Sequence, residues 1–299
     1  MKKGVLSILQ VIGYLALITA FTVILMGLTK TFIGDWESGG PRVSLLGDGI
    51  LTTLGIAIAG LVILRALRSS MVFRGWPGFG TAVRWFGRGA LIGLAMAGSM
   101  LLLTLALGGG RISLQPAGLQ AYLIYVVPFG GCLLISALSE EWLFRGYPLT
   151  KLASVLGAGW ASLAMSLVFA AAHLGSAGSN PLVHVNIVLG SLVVGALRFT
   201  PGGIAAAWGF HFAWNYTQVL CGASLSLEGV NVPGVDFEAS GSAALSGGTF
   251  GPEGGIAATL VTLIFLLLGF VYFRRSGVLD LPLPLGRSGP PESILEKYP

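Results

Sequence analysis

Eight apolar stretches, each near the ~20 residues a helix needs to cross the hydrocarbon of a bilayer, govern what this chain can fold into. They run roughly over 5–28, 49–67, 89–107, 119–143, 155–174, 182–197, 204–220 and 256–273. Only 10% of the 299 residues are charged, against about 25% in a soluble domain, so the chain cannot cover a water-facing surface. The net charge of +5 is thinly spread between apolar runs. Nucleic-acid binding would need it dense on one face, and is excluded. Two cysteines, Cys132 and Cys221, are too few for a disulfide framework or a cysteine-rich metal site. The expected fold is an all-α polytopic membrane protein of about eight transmembrane helices. Met1-Lys2-Lys3 opens the first run, which exceeds the about 7–15 residues of a signal h-region and has no clear small-x-small cleavage site, so it is read as a retained helix.

Positive charge orients the spans, because cytoplasmic loops hold Lys and Arg in excess. Lys2 and Lys3 precede the first helix; Arg65, Arg68, Arg74, Arg84 and Arg88 cluster between the second and third. Arg145 and Lys151, Arg198, and Arg274 with Arg275 follow the fourth, sixth and eighth. The alternate loops are poorer in Lys and Arg, and 222–255 has neither but carries Glu228, Asp236, Glu238 and Glu253. Both termini are expected in the cytoplasm, and the Gly/Ala-rich, short-tailed chain points to a prokaryotic plasma membrane. Residues 1–275 form one helical domain, 222–255 a flexible external loop rich in Gly, Ser and Ala, and 276–299 an extended cytoplasmic tail.

Between Ile112 and Leu227 the only charged residues are Glu140, Glu141, Arg145, Lys151 and Arg198, and all three histidines, His173, His184 and His211, lie there too. Ionisable groups within a membrane are costly and mark functional sites by default. Glu141 and Arg145, four apart, share a helix face and can form an ion pair. Glu140 is rotated about 100° from Glu141 and is able to face the interior instead. Phe169 and His173 share a face, as do His211 and Asn215.

Glu-Glu-Trp-Leu-Phe-Arg (140–145), Phe-Ala-Ala-Ala-His (169–173) and His-Phe-Ala-Trp-Asn (211–215) resemble the ordered EExxxR, FxxxH and HxxxN motifs of the CAAX protease and bacteriocin-processing (CPBP) intramembrane proteases, which include the prenyl-protein endopeptidases and the Abi proteins. Each pattern is weak alone; three in order, on the fourth, fifth and seventh helices, are specific. The resemblance covers about 119–220 and implies an intramembrane endopeptidase acting on a membrane-associated protein or peptide.

Peptide hydrolysis needs an activated water, a stabilised oxyanion and a proton for the leaving amine. A carboxylate among apolar helices is a stronger base, which suits Glu140, with His173 holding the same water. His211 and Asn215 offer N–H donors to the oxyanion. The resemblance implies the same assignment, with Glu141 and Arg145 bracing the fourth helix. Glu140, His173 and His211 would equally make a His₂Glu zinc set with one open position, although no HExxH occurs. Metal-free and zinc-assisted mechanisms both stand at this point.

One objection is geometric. In a fifth helix straight from Val155, His173 would sit ~20 Å deeper than Glu140 at about 1.5 Å per residue. Residues 146–157, with Pro148 between two glycines, are therefore expected to form an elbow or re-entrant piece that draws His173 inward. Beside the site, Phe169 reads as packing beneath His173, His184 as structural, the span-end tryptophans as interface anchors, and Arg198 as marking the cytoplasmic end of the sixth helix. Two other functions fit the sequence. One is a non-enzymatic bacteriocin self-immunity or scaffold protein; the other is a proton-coupled transporter, disfavoured by the lack of internal repeats.

Overall fold

The computed structural model describes residues 2–32, 34, 39–67, 75–225 and 230–275. The tail 276–299, Arg68, Arg74 and Glu228 lie outside them. Among the described residues ten helices account for most of the fold: α1 (Lys2–Phe32), α2 (Pro41–Leu67), α3 (Phe79–Ala106), α4 (Leu119–Arg145), α5 (Tyr147–Leu156), α6 (Ala158–Ala172), α7 (Pro181–Arg198), α8 (Gly203–Leu220), α9 (Ala243–Ser246) and α10 (Ile256–Arg275). Among the described residues five segments are long and apolar enough to cross a membrane, Gly4–Phe32, Val43–Ile63, Phe79–Ala106, Leu119–Leu156 and Pro181–Arg198. Helices α6 and α10 are apolar but shorter. Helix α8 falls short on hydropathy because His211, Asn215, Thr217 and Gln218 interrupt it. The protein is an all-α membrane protein.

The fifth apolar stretch is not one helix. Gly146 closes α4, and the ten-residue α5 follows with Pro148 in its first turn, where a missing N–H costs nothing. At Gly157 the chain turns with φ +79°, a conformation side chains resist, and α6 begins afresh at Ala158. The expected elbow between the two glycines is thus a helix of its own rather than irregular backbone. Phe144 of α4, Leu149 and Leu152 of α5 and Met165 of α6 pack with Val11 of α1 in one core cluster. Helix α7 starts at Asn180, whose Oδ1 accepts from the amides of Leu182 (2.9 Å) and Val183 (3.2 Å), with Pro181 next in line.

Helices α3 and α8 touch backbone to backbone. A Cβ on Gly89 would strike the carbonyl oxygen of Ala206, one on Gly93 that of Phe210, and one on Gly209 that of Phe86. Gly89 and Gly93 form a small-xxx-small step, the device by which membrane helices approach closely where lipid gives no hydrophobic drive between them. Gly93→Val is expected to destabilise the protein by at least about 1–3 kcal/mol, the range for overpacking, measured as a fall in melting temperature in detergent. An unchanged melting temperature would refute the contact.

The expectation that 222–255 is a flexible loop is overturned. Its described part carries β2 (Val235–Ala239), α9 and two short 3₁₀ turns, Gly248–Phe250 and Pro252–Gly254. Leu225, Val230 and Val232 are buried against Phe129 and Leu133 of α4. β2 pairs antiparallel with β1 (Gly110–Leu114), Arg111 opposite Glu238. Composition hides this segment, because strand pairing over more than a hundred residues leaves no local period to read.

Hydrogen bonds from Ser113 and then Arg111 hold the Glu238 carboxyl below the usual carboxylate range. Glu238 therefore supports the ribbon fully above its unfolded pKa, and that support disappears as pH falls through the lower folded value. Native protein is expected to melt slightly above Glu238→Gln at pH 7, the gap closing towards pH ~3. A gap that widens in acid would contradict the assignment.

Candidate active site

A cavity of about 330 Å³ lies among the helices, and its wall includes Glu140, His173, His211 and Asn215. The three motifs, on α4, the end of α6 and α8, thus meet at one place. The break at Gly157 removes the objection that Glu140 and His173 lie at incompatible depths, since both line this space.

The two adjacent glutamates are in different surroundings. The Glu140 side chain is 32% exposed, towards the cavity. Glu141 is fully buried, with Oε1 3.3 Å from the Arg145 guanidinium and 2.8 Å from His211 Nδ1. The i, i+4 ion pair expected from the sequence is present. The grip on His211, 70 residues away, was not legible, because helical spacing reports only on a residue's own helix. With Nδ1 bonded to Glu141, Nε2 is the His211 nitrogen nearer Glu140, 3.9 Å from Oε2 and too far for a direct hydrogen bond.

His173 caps α6 with φ −100° and ψ 9°. Its Nδ1 lies 2.8 Å from the Phe169 carbonyl oxygen. A carbonyl only accepts, so Nδ1 carries the proton and a neutral ring has its lone pair on Nε2. The Phe169 ring packs beneath His173, centroids 4.7 Å apart, and stands edge-on to His211 at 6.3 Å. The Arg145 guanidinium lies 4.5 Å from the same ring. Phe169 is thus the common floor of both histidines. Asn215 also lines the cavity, one helical turn beyond His211.

The family finding agrees with this arrangement. Residues 121–217, about a third of the chain, match the model described as type II CAAX prenyl endopeptidase Rce1-like. The match supports membership of the CPBP family through this core. Among curated proteins, none matches the chain.

Among the described residues no three His, Cys, Asp or Glu side chains, Glu140, His173 and His211 included, are grouped to hold one ion.

Several residues around the matched core escaped the sequence reading. Ser191 of α7 accepts from Arg145 Nη2 at 2.7 Å. Arg198, expected only to mark a helix end, is buried and donates to the Arg145 carbonyl (2.9 Å) and Thr150 Oγ1 (3.0 Å), tying α7 across the α4–α5 break. Glu253, in what was expected to be a loose loop, lines the cavity. The polar series Asn186, Ser191 and Arg198 along apolar α7 was the available signal. His184, read from the sequence as structural, has its Nδ1 2.9 Å from the Asn180 carbonyl oxygen.

Proposed function

We propose that the chain is an intramembrane endopeptidase that hydrolyses a peptide bond of a membrane-associated protein or peptide. The observation that carries this reading is the meeting of Glu140, His173, His211 and Asn215 in one cavity within an apolar helix bundle. Glu140 takes a proton from water, whose oxygen attacks the scissile carbonyl. His173, its Nδ1 committed to Phe169, presents Nε2 as the acceptor that orients this water. Asn215 Nδ2 and His211 Nε2 donate to the tetrahedral oxyanion. For His211 this requires the doubly protonated ring, whose charge Glu141 at Nδ1 offsets. Protonated Glu140 then gives its proton to the leaving nitrogen as the C–N bond breaks, and the products are a carboxylic acid and an amine.

The reading carries eight spans with both termini in the cytoplasm, as the Lys and Arg distribution indicates. The test compares newly formed protein termini in membranes of cells expressing the native chain or Glu140→Ala at matched levels. Termini present only with the native chain are expected, and they identify the substrate. Identical sets would overturn the peptidase reading in favour of a binding role for the same fold.

A further inference from the structure

Helix α8 borders two cavities. His211 and Asn215 face the one already described, while Phe212 and Tyr216 line a groove of about 650 Å³ between α8 and α3. The α3 side of this groove is one helical stripe that carries Arg84, Arg88, Leu91 and Leu94. Leu91 and Leu94 are exposed, so the groove opens along an apolar rim. From Arg84 to Leu94 the stripe rises about 15 Å, half of the ~30 Å hydrocarbon core and thus the depth of one leaflet. The α8 side is braced. The Phe212 ring stacks on Phe86 of α3 at 6.1 Å and on Tyr216 at 5.3 Å, and the Tyr216 hydroxyl donates to the Val126 carbonyl at 3.2 Å.

Charge stands at one end of the groove only. Arg84 and Arg88, one turn apart, immediately precede the apolar stretch 89–107, which sets them at headgroup level. Among the described residues neither makes a salt bridge or a side-chain hydrogen bond. The Arg88 guanidinium lies over the Trp85 ring, 4.8 Å from its centroid, and Trp85 packs on the buried cluster that includes Ala206 and Phe210 of α8. An aromatic face holds a cation through its charge and leaves the N–H donors for an oxyanion. We infer that the groove binds an anionic phospholipid of the leaflet in which α3 begins. Its phosphate sits at Arg84 and Arg88, and one acyl chain lies along Leu91, Leu94, Phe212 and Tyr216. A basic pocket between membrane helices is the form that suits such headgroups. A zwitterionic lipid brings its own cation to its phosphate, so a headgroup of net negative charge is the complementary partner. A free phosphate would leave the apolar wall unused.

The experiment follows the melting temperature of the purified chain in detergent as phosphatidylglycerol, phosphatidylcholine or glycerol 3-phosphate is added. Two variants accompany the native chain, Arg84→Gln/Arg88→Gln and Gly87→Trp. Gly87 lines the groove, and a Cβ there would meet nothing within 4 Å, so Gly87→Trp fills the groove and keeps both arginines. Each protein is scored by its shift from its own lipid-free value. Phosphatidylglycerol is expected to raise the native melting temperature saturably, and the other two additives to leave it unchanged. Half-saturation should need about 30-fold more phosphatidylglycerol in Arg84→Gln/Arg88→Gln, the worth of two basic residues at an anionic surface. Gly87→Trp should lose the saturable rise. An equal rise with phosphatidylcholine, or native-like saturation in Arg84→Gln/Arg88→Gln, would overturn the inference. So would an equal rise with glycerol 3-phosphate, which would mark a free-phosphate site. A native-like rise in Gly87→Trp would also overturn it, because the arginines would then gather anionic lipid with no chain seated in the groove. None of these outcomes bears on the peptidase reading, which the count of new termini tests separately.

Discussion

Glu140→Gln is expected to slow the formation of new termini by about 10²–10⁴-fold, the usual contribution of a general base, with no loss of folded protein. The expectation rests on what Glu140 does not do. Its side chain is partly exposed to the cavity, its closest charged contact is His211 Nε2 at 3.9 Å, and it makes no hydrogen bond among the described residues. Removing its charge therefore leaves no buried group stranded. The measurements are the count of native-specific termini and the melting temperature of the purified variant in detergent. Full activity in Glu140→Gln would show that the water is activated elsewhere.

The neighbouring substitution is expected to behave in the opposite way. Glu141→Ala should destabilise the protein by about 3–5 kcal/mol, the cost of removing one partner of a buried ion pair. Arg145 is 2% exposed and Glu141 wholly buried, so the guanidinium cannot turn to water once its partner is gone. His211 loses the acceptor at Nδ1 in the same step, and activity should fall with stability. The readout is a melting temperature far below that of Glu140→Gln, with less protein recovered from the membrane. A variant as stable as the native chain would mean that Ser191 and the Phe169 ring hold Arg145 without the carboxylate.

This pair also shows what the sequence could disclose. Charges confined to a few positions of an apolar chain drew attention to both glutamates, and the 100° step between neighbours explained how one faces the cavity while the other pairs with Arg145. It could not show that Glu141 also reaches α8, because that contact depends on how two helices are set against each other. The apolar runs disclosed most of the helices, and the depth conflict between Glu140 and His173 disclosed the discontinuity bounded by Gly146 and Gly157. The β1–β2 ribbon and the packed segment after α8 were hidden. Their residues are Gly-, Ser- and Ala-rich, and their order comes from long-range pairing and from side chains such as Asn186 that lie far away in the chain. Glu253 was noted only as one of several acidic residues on the expected outer side.

The glycine contact between α3 and α8 bears on the smallest portable unit of this protein. The segment that matches the family begins at residue 121, yet the depth and rotation of the helix bearing His211 and Asn215 are registered against Gly89 and Gly93, which precede it. Met96 of α3 and Leu45 of α2 also form part of the cavity wall. Grafting the matched residues alone into another bundle would carry over every motif and lose the surface that aligns them. A functional transplant must include the donor's third helix, or an acceptor helix with glycines at the same two heights.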